Sequence, residues 1–480
     1  MRSSDRRFLR LLTLYALAVL LLHLLVQFLP ASWAFFWYPA KLVGPGGRLD
    51  ATEWLWGVYP YTYLPLWFGY LAAFLSGVIV VWAGFAPGFP SAPAFPRNAR
   101  LQILLSALTL PLFYLGRVVH TRWGDAYLLV KGIAHPDVRL TYNWQAPLDI
   151  FVHARLFQLG ERLWGWTDAM PAYWWLSSLA GAVAVWTLFR LADEIGRSDA
   201  ERWTIFGVMA TLGAMQLFFG YPENYTLISL LILLYLWLGW RFVQGKTSLW
   251  TPSIILALAH AFHPATLILQ PSLWFLAWWA SSRKHEVSRR WWRIIAYLPA
   301  LILPPVVIGA ATFALMSVGG RGMNAFLGEE APGGGDHRWL VPLTTLSSDW
   351  EYYTQFSRGH LIEFINQQLL VMPFTLPLLL ALILGFWRRL PKDGYALFLF
   401  VAASAYVLLT WLWNPDYGGQ RDWDLFAPAA WPATMLAVYW LTRVFQNSVL
   451  VRTATIIIAV QFVHTLAWVY SNTRPWHWPT

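Results

Sequence analysis

The chain contains no cysteine. A disulfide framework, a thiolate metal site and a cysteine nucleophile are therefore excluded. Charge is scarce as well: 12% of the 480 residues are Asp, Glu, Lys or Arg, against about 25% in soluble domains. An ordinary water-soluble domain is excluded on that ground. The alternating segments of ~10 residues that mark an outer-membrane barrel are missing. So are an internal repeat of the transporter kind and any His-Glu-x-x-His or Glu-x-x-His pattern of a metalloprotease.

What the chain has instead is apolar sequence, 58% of the total, in runs of ~20 residues that are long enough to cross a bilayer. The expected class is an all-α polytopic membrane protein of 11–13 transmembrane helices, forming a single integral membrane domain over 1–480. Candidate spans lie near 9–29, 62–86, 101–117, 170–192, 203–220, 225–243, 249–263, 265–281, 294–317, 368–387, 394–413, 426–444 and 453–471. Residues 1–100 supply the N-terminal helices. The first span follows Arg2, Arg6, Arg7 and Arg10 and is read as an anchor. Its apolar core exceeds the ~7–15 residues of a signal peptide, although Ser32-Trp33-Ala34 resembles a cleavage site. The short segments on either side of His263-Pro264 read as one broken or re-entrant hairpin.

The net charge of +10 follows from topology rather than from a nucleic-acid partner, because Arg and Lys gather in short loops as the positive-inside rule requires. Arg2–Arg10, Arg97/Arg100, Arg190/Arg197, Arg241/Lys246, Arg283–Arg293, Arg388/Arg389/Lys392 and Arg443/Arg452 fall on one face, expected to be cytoplasmic. The loops 30–61, 118–169, 318–366 and 414–425 then face outward. Abundant Trp and Tyr suit the two membrane interfaces, and the excess of Arg over Lys suits a GC-rich bacterial genome, so the expected location is a bacterial inner membrane. Residues 148–165 read as an amphipathic interfacial helix, with Leu148, Phe151, Leu156 and Leu159 opposed to Asp149, His153 and Arg155.

Ionisable groups collect where the surroundings are otherwise apolar. Asp125, His135, Asp137, Asp149 and His153 crowd the first large loop. Glu223 stands in GYPENY between two spans, His260 and His263 near the end of another, and Asp416, Arg421, Asp422 and Asp424 in NPDYGGQRDWDLFAP. Charges beside spans are costly and mark functional sites by default. Each has a structural alternative as a solvated loop residue or a helix cap, and Glu223 is placed to cap the helix that follows. His260 and His263 share a helical face that would suit a metal, but no motif supports one, and His263 better suits a phosphate or a hydroxyl. EEAPGGGDHR at 329–338 reads as a lid rather than a phosphate cradle. Gly245-Lys246-Thr247 is no phosphate loop, because Trp240 stands where that motif needs glycine. Asp422-Trp423-Asp424 matches the Asp-x-Asp of nucleotide-sugar transferases but faces the side where nucleotide sugars are absent.

The segment Gly124-Asp125, Gly132-Ile133-Ala134-His135-Pro136, Ala146-Pro147-Leu148 and Leu156-Phe157 resembles the first-loop motif of the GT-C superfamily, protein O-mannosyltransferase-like branch. His263-Pro264 closing a span is similar to a recurring feature of the same superfamily. This sequence has two additional spans before the motif, and Asp137-Val138-Arg139 where that branch often has Gly-Tyr-Pro. The resemblance implies that Asp125 is catalytic and that the substrate is a polyprenyl-phosphate-linked sugar donor held at the extracytoplasmic face. Because phosphate is already a good leaving group, one carboxylate suffices as base and the transfer inverts the anomeric centre. Asp125 is the expected base, with Arg421 and His263 stabilising the departing phosphate. His135 is placed with the substrate-binding residues. Glu223, Asp422 and Asp424 would hold sugar hydroxyls, orient Arg421 or bind a divalent cation, roles the sequence leaves open. No cofactor is otherwise expected. The acceptor is a hydroxyl of a protein, lipid or glycan. Two rival readings remain: an O-antigen ligase or polymerase using Arg321, His337, Arg338, Arg358 and His360, and a lipid or glycan flippase.

Overall fold

No water reaches a backbone in hydrocarbon, so a spanning segment must satisfy its own N–H and C=O groups, as a helix does. The computed structural model has that form. It describes residues 2–30, 32–33, 54–282, 290–328, 339–348 and 351–476. Ala34 of the cleavage-like site, residues 283–289 of the basic cluster, and the 329–338 segment with His337 and Arg338 lie outside the described residues.

Among the described residues eight helices are long and apolar enough to cross a membrane: Ser3–Phe28, Leu66–Phe85, Met170–Ile195, Thr226–Val243, Ile294–Val318, Gly394–Leu412, Trp423–Val444 and Asn447–Asn472. Arg358–Val371 and Thr375–Arg389 form a further pair, bent by 98°, and Ala99–Leu115 and Trp250–Phe262 are shorter apolar helices. Among the described residues there is no β-strand, and the sole isolated bridge joins Leu340 to Trp413. The chain is a multi-pass helical membrane protein.

Several expected spans are interrupted, 101–117 between Ala107 and Leu110 among them, and proline accounts for two of the other three. Within 203–220 the helix stops at Ala210, and a 3-10 turn over Gly213–Phe218 follows. Within 265–281, Pro264 opens a 3-10 segment that lasts to Leu269 before Gln270–Ser282 resumes as α-helix; proline lacks the N–H an α-helix interior needs. Within 368–387 the chain turns at Met372, at φ −154° and ψ 63°, since the following Pro373 disfavours helical backbone in the residue before it.

The helix Trp423–Val444 is buried up to Thr442 and forms the hub, packing against Asp199–Ala210, Thr226–Val243, Thr375–Phe386 and Gly394–Leu412. Ile294–Val318 is the opposite case, with Ile295, Ile302, Leu303, Val306 and Val307 exposed, as suits a wall against lipid. At one end of the bundle the basic residues gather around acids. Arg97, Arg190 and Arg202 approach Asp193, while Arg190, Arg241 and Lys246 approach Glu194. Arg197 and Arg443 meet on Glu201. The opposite ends of the same helices carry the polar loops.

Pro147–Trp164 is helical as expected, starting on proline and ending on Gly165 at φ +67°. Its inward face differs from the amphipathic expectation. Asp149 and His153 are buried with Ile150, Ala154 and Phe157, while Leu159 and Arg155 are exposed. The polar pair is thus an interior feature rather than the water-facing side of an interfacial helix. His153 stacks on Tyr173 with ring centroids 3.9 Å apart. Its Nδ1 lies 2.9 Å from the Asp149 carbonyl and 3.0 Å from Asp149 Oδ2, and the carbonyl is the better-aligned acceptor.

Candidate active site

Trp123 fixes the start of the site. Its indole N–H donates to Asn472 Oδ1 at 2.9 Å, and its ring packs on Trp468. The next residue, Gly124, takes φ +42°, a conformation glycine adopts at little cost, and its N–H donates to the Arg421 carbonyl at 2.9 Å. A Cβ at Gly124 would meet Glu223 Oε1 at 2.6 Å, with Asp422 Oδ1 at 3.6 Å. Glycine here allows three loops to bring their carboxyl groups together.

Asp125 precedes helix Ala126–Ala134 but makes no capping bond, which leaves its carboxylate for other partners. Tyr417 Oη donates to Oδ1 at 3.0 Å and Gln145 Nε2 donates to Oδ2 at 3.2 Å. Tyr417 also donates its backbone N–H to Asp422 Oδ2 at 2.7 Å, so one residue holds two carboxylates. Burial and the neighbouring Asp125 push the Tyr417 phenol up from its ordinary value, which keeps it a donor.

Glu223 is 3% exposed. Its Oε2 accepts from the Asn224 N–H at 3.4 Å, while Oε1 has no hydrogen-bond partner. Helix Thr226–Val243 starts without a side-chain cap, so Glu223 does not serve as one. Burial, then Asp424, Asp125 and Asp422, holds the Glu223 carboxyl well above the usual range. Burial likewise raises Asp422, opposed by the Tyr417 N–H it accepts. Asp424 is 1% exposed, and its Oδ2 has no partner.

His263 caps the 3-10 segment Pro264–Leu269 by accepting the Ala265 N–H on Nδ1 at 3.1 Å. An accepting Nδ1 places the ring hydrogen on Nε2. That Nε2 is buried without a partner. His260 is committed elsewhere: Nδ1 bonds Thr266 Oγ1 at 2.8 Å, and Nε2 lies 2.9 Å from Gln270 Nε2.

These groups line one cavity of about 800 Å³. Its polar part is formed by Asp125, Gln145, Glu223, Asp416, Tyr417, Asp422 and Asp424. From there it runs past His260 and His263 to Pro305, Gly309, Thr312 and Phe313 on the exposed helix Ile294–Val318. Of the candidates named from sequence, Asp125, Glu223, His263, Asp422 and Asp424 meet here. Arg421 and His135 do not line the cavity. Arg421 lends its backbone carbonyl to Gly124 and lays its guanidinium 5.2 Å from the centre of the Tyr417 ring. His135 is exposed beyond the end of its helix and accepts the Asp137 N–H. Gln145, Tyr417 and Tyr225 were not singled out from sequence, although all three lie within segments that were: the first large loop, NPDYGGQRDWDLFAP and GYPENY. Among the described residues no group of three or more His, Asp or Glu side chains is spaced to hold a metal ion.

The bundle of spanning helices, with a loop-built polar cavity at one end that runs to an exposed helix, is a membrane-protein fold with solved counterparts. Two solved structures of ArnT from Cupriavidus metallidurans carry the likeness. The one bound to undecaprenyl phosphate superposes with a TM-score of 0.51 at 13% identity, over 78% of this chain and 77% of that one. The apo form gives 0.50 at 13% identity, over 78% of each chain. No protein-family profile and no curated relative matches the chain.

Proposed function

We propose that this protein is an inverting glycosyltransferase that moves a sugar from a polyprenyl-phosphate-linked donor to an acceptor hydroxyl, with Asp125 as the base, at the extracytoplasmic face of the membrane. The observation that carries the proposal is the cavity itself. It joins a carboxylate held by two donors to an apolar wall on a lipid-facing helix, as a substrate with a polar head and an isoprenoid tail requires. The fold is shared with a protein whose structure contains undecaprenyl phosphate. Resemblance of the Gly124–Phe157 segment to the protein O-mannosyltransferase-like branch favours a hydroxyl as the acceptor.

In this mechanism Asp125 accepts the proton of the acceptor hydroxyl as its oxygen attacks the anomeric carbon. The bond from that carbon to the phosphate oxygen breaks, and its electron pair leaves with the phosphate. The two bonds from Tyr417 and Gln145 fix the carboxylate but leave it lone pairs with which to take the proton. His263 Nε2–H is a donor for the departing phosphate. Asp422 and Asp424 lie where sugar hydroxyls would need acceptors. Placing the site outside the cell puts the Arg-rich end in the cytoplasm, as the positive-inside rule prefers.

The test is transfer by purified protein in nanodiscs, supplied with a panel of radiolabelled polyprenyl-phosphate sugars and with hydroxyl-bearing peptide, lipid and glycan acceptors, and read as acceptor-dependent release of polyprenyl phosphate. Loss of a proton-transfer base costs about 10²–10⁴ in rate. Asp125→Asn should therefore abolish detectable release while inserting and purifying like the parent. Release at the parental rate would end the assignment of Asp125.

A further inference from the structure

The cavity presents an electrostatic problem. Asp125, Glu223, Asp416, Asp422 and Asp424 line it, and no Lys or Arg is among its described lining residues. A phosphate entering in the presence of five ionised carboxylates would be repelled. The groups around Glu223 offer no cation: Asp125 at the Gly124 turn, Asp422 and Asp424 at the head of the hub helix, and the phenols of Tyr173, Tyr221 and Tyr225. Two imidazoles flank these phenols: His263 lies ring to ring with Tyr225 at 5.0 Å, and His153 stacks on Tyr173 at 3.9 Å.

Two observations point to a resolution. Glu223 Oε1 is buried without a partner on a side chain that lines the cavity. Independently, His263 has an unpartnered N–H on Nε2, is 7% exposed and lines the same cavity. A buried polar atom left unsatisfied carries a desolvation penalty, so each of these two, facing the cavity, gains by bonding a ligand that enters it. An ionised Glu223 offers the site only acceptors, whereas a protonated one offers an O–H donor.

We infer that Glu223 acts as a neutral carboxylic acid, and that its O–H and the His263 Nε2–H are donated together to the phosphoryl oxygens of a polyprenyl phosphate. The site therefore takes up its anionic ligand in a protonated state. This rests on the donor reading proposed above. Burial and three neighbouring acids favour the neutral form. The proton stays on Glu223 throughout: Asp125 receives the acceptor's proton, and the phosphate leaves with its bonding electron pair, hydrogen-bonded but not protonated. Since the bound state needs that proton, affinity falls as pH rises through the ionisation of Glu223, by up to about tenfold per pH unit above it.

The experiment measures undecaprenyl phosphate binding to the full-length protein in nanodiscs from pH 5.5 to 9, for the parent, Glu223→Gln and Glu223→Ala. The lipid phosphate has its own second ionisation near pH ~6, but this acts on all three proteins, so differences between the curves isolate Glu223. Glu223→Gln keeps an N–H donor and cannot ionise. It should bind within about threefold of the parent at pH 6 and lose affinity less steeply at alkaline pH. Glu223→Ala should bind at least about tenfold more weakly at pH 6. Parallel curves for the parent and Glu223→Gln would overturn the inference. So would a Glu223→Gln variant as weak as Glu223→Ala, with thermal stability unchanged. A parent that binds no undecaprenyl phosphate at any pH would instead defeat the donor reading. Inorganic phosphate binding as tightly as the lipid would reassign the site to free phosphate and overturn the lipid assignment.

Discussion

At the scale of single residues, Tyr417 has the widest reach. Its hydroxyl holds Asp125 and its N–H holds Asp422. A hydrogen bond to a charged group is worth ~1.5–3 kcal/mol. Tyr417→Phe should therefore slow transfer by about 10- to 100-fold while leaving undecaprenyl phosphate binding and thermal stability near the parent. A rate equal to the parent's would mean that Asp125 needs no such support. Sequence pointed to Asp125, Glu223, His263, Asp422 and Asp424 because ionisable groups beside spans are expensive. Tyr417 and Gln145 escaped notice because a tyrosine or glutamine among interfacial loops is unremarkable by composition. Only the folded position, with a donor on each carboxylate oxygen, distinguishes them. Arg421 illustrates the reverse: its charge drew attention, yet its carbonyl is what locks the Gly124 turn.

At the scale of elements, the long spans were legible because a run of ~20 apolar residues has the length of a bilayer crossing and far exceeds a buried strand. The breaks were less so, since hydropathy alone cannot separate a continuous helix from two segments meeting at an angle. Proline marked two of them, before Ala265 and after Met372. A third lies at Gly213, where the 3-10 turn crosses the end of helix Arg358–Val371 so closely that an added Cβ would collide with the Leu370 carbonyl. Backbone cannot yield there as a side chain could. Gly213→Ala should cost ~1–3 kcal/mol by overpacking, seen as a lowered Tm of the solubilised protein. An unchanged Tm would show that the two segments can separate without loss. Asp149 and His153 face inward against the sequence pattern because amphipathic patterning assumes that polar residues face water. A buried acid–imidazole pair violates that assumption.

At the scale of the whole molecule, loop charge divided the chain into a basic and an acidic end. Arg190, Arg241 and Lys246 gather on Glu194 and Arg197 and Arg443 on Glu201 at one, while Asp125, Glu223, Asp416, Asp422 and Asp424 line the cavity at the other. The cavity between helix Ile294–Val318 and the polar loops was not readable, because it depends on which helices lie side by side. Gly309 lines it, and a Cβ added there would meet nothing within 4 Å. Gly309→Trp should fill that space and weaken undecaprenyl phosphate binding by about tenfold or more, since each buried methylene of an isoprenoid contributes ~0.8 kcal/mol. Tm should be unaffected. Full binding by the variant would place the tail elsewhere.

The exposure of helix Ile294–Val318 also bears on how the proposed reaction would be supplied. A substrate arriving through that wall diffuses in two dimensions, so its effective concentration is its mole fraction in the bilayer rather than its amount per litre. Turnover should fall when inert phospholipid is added at constant donor, and stay level when the same vesicles are diluted with buffer. The rate of the proposed reaction would then report on the crowding of the surrounding membrane, through competition among lipids for access along that helix.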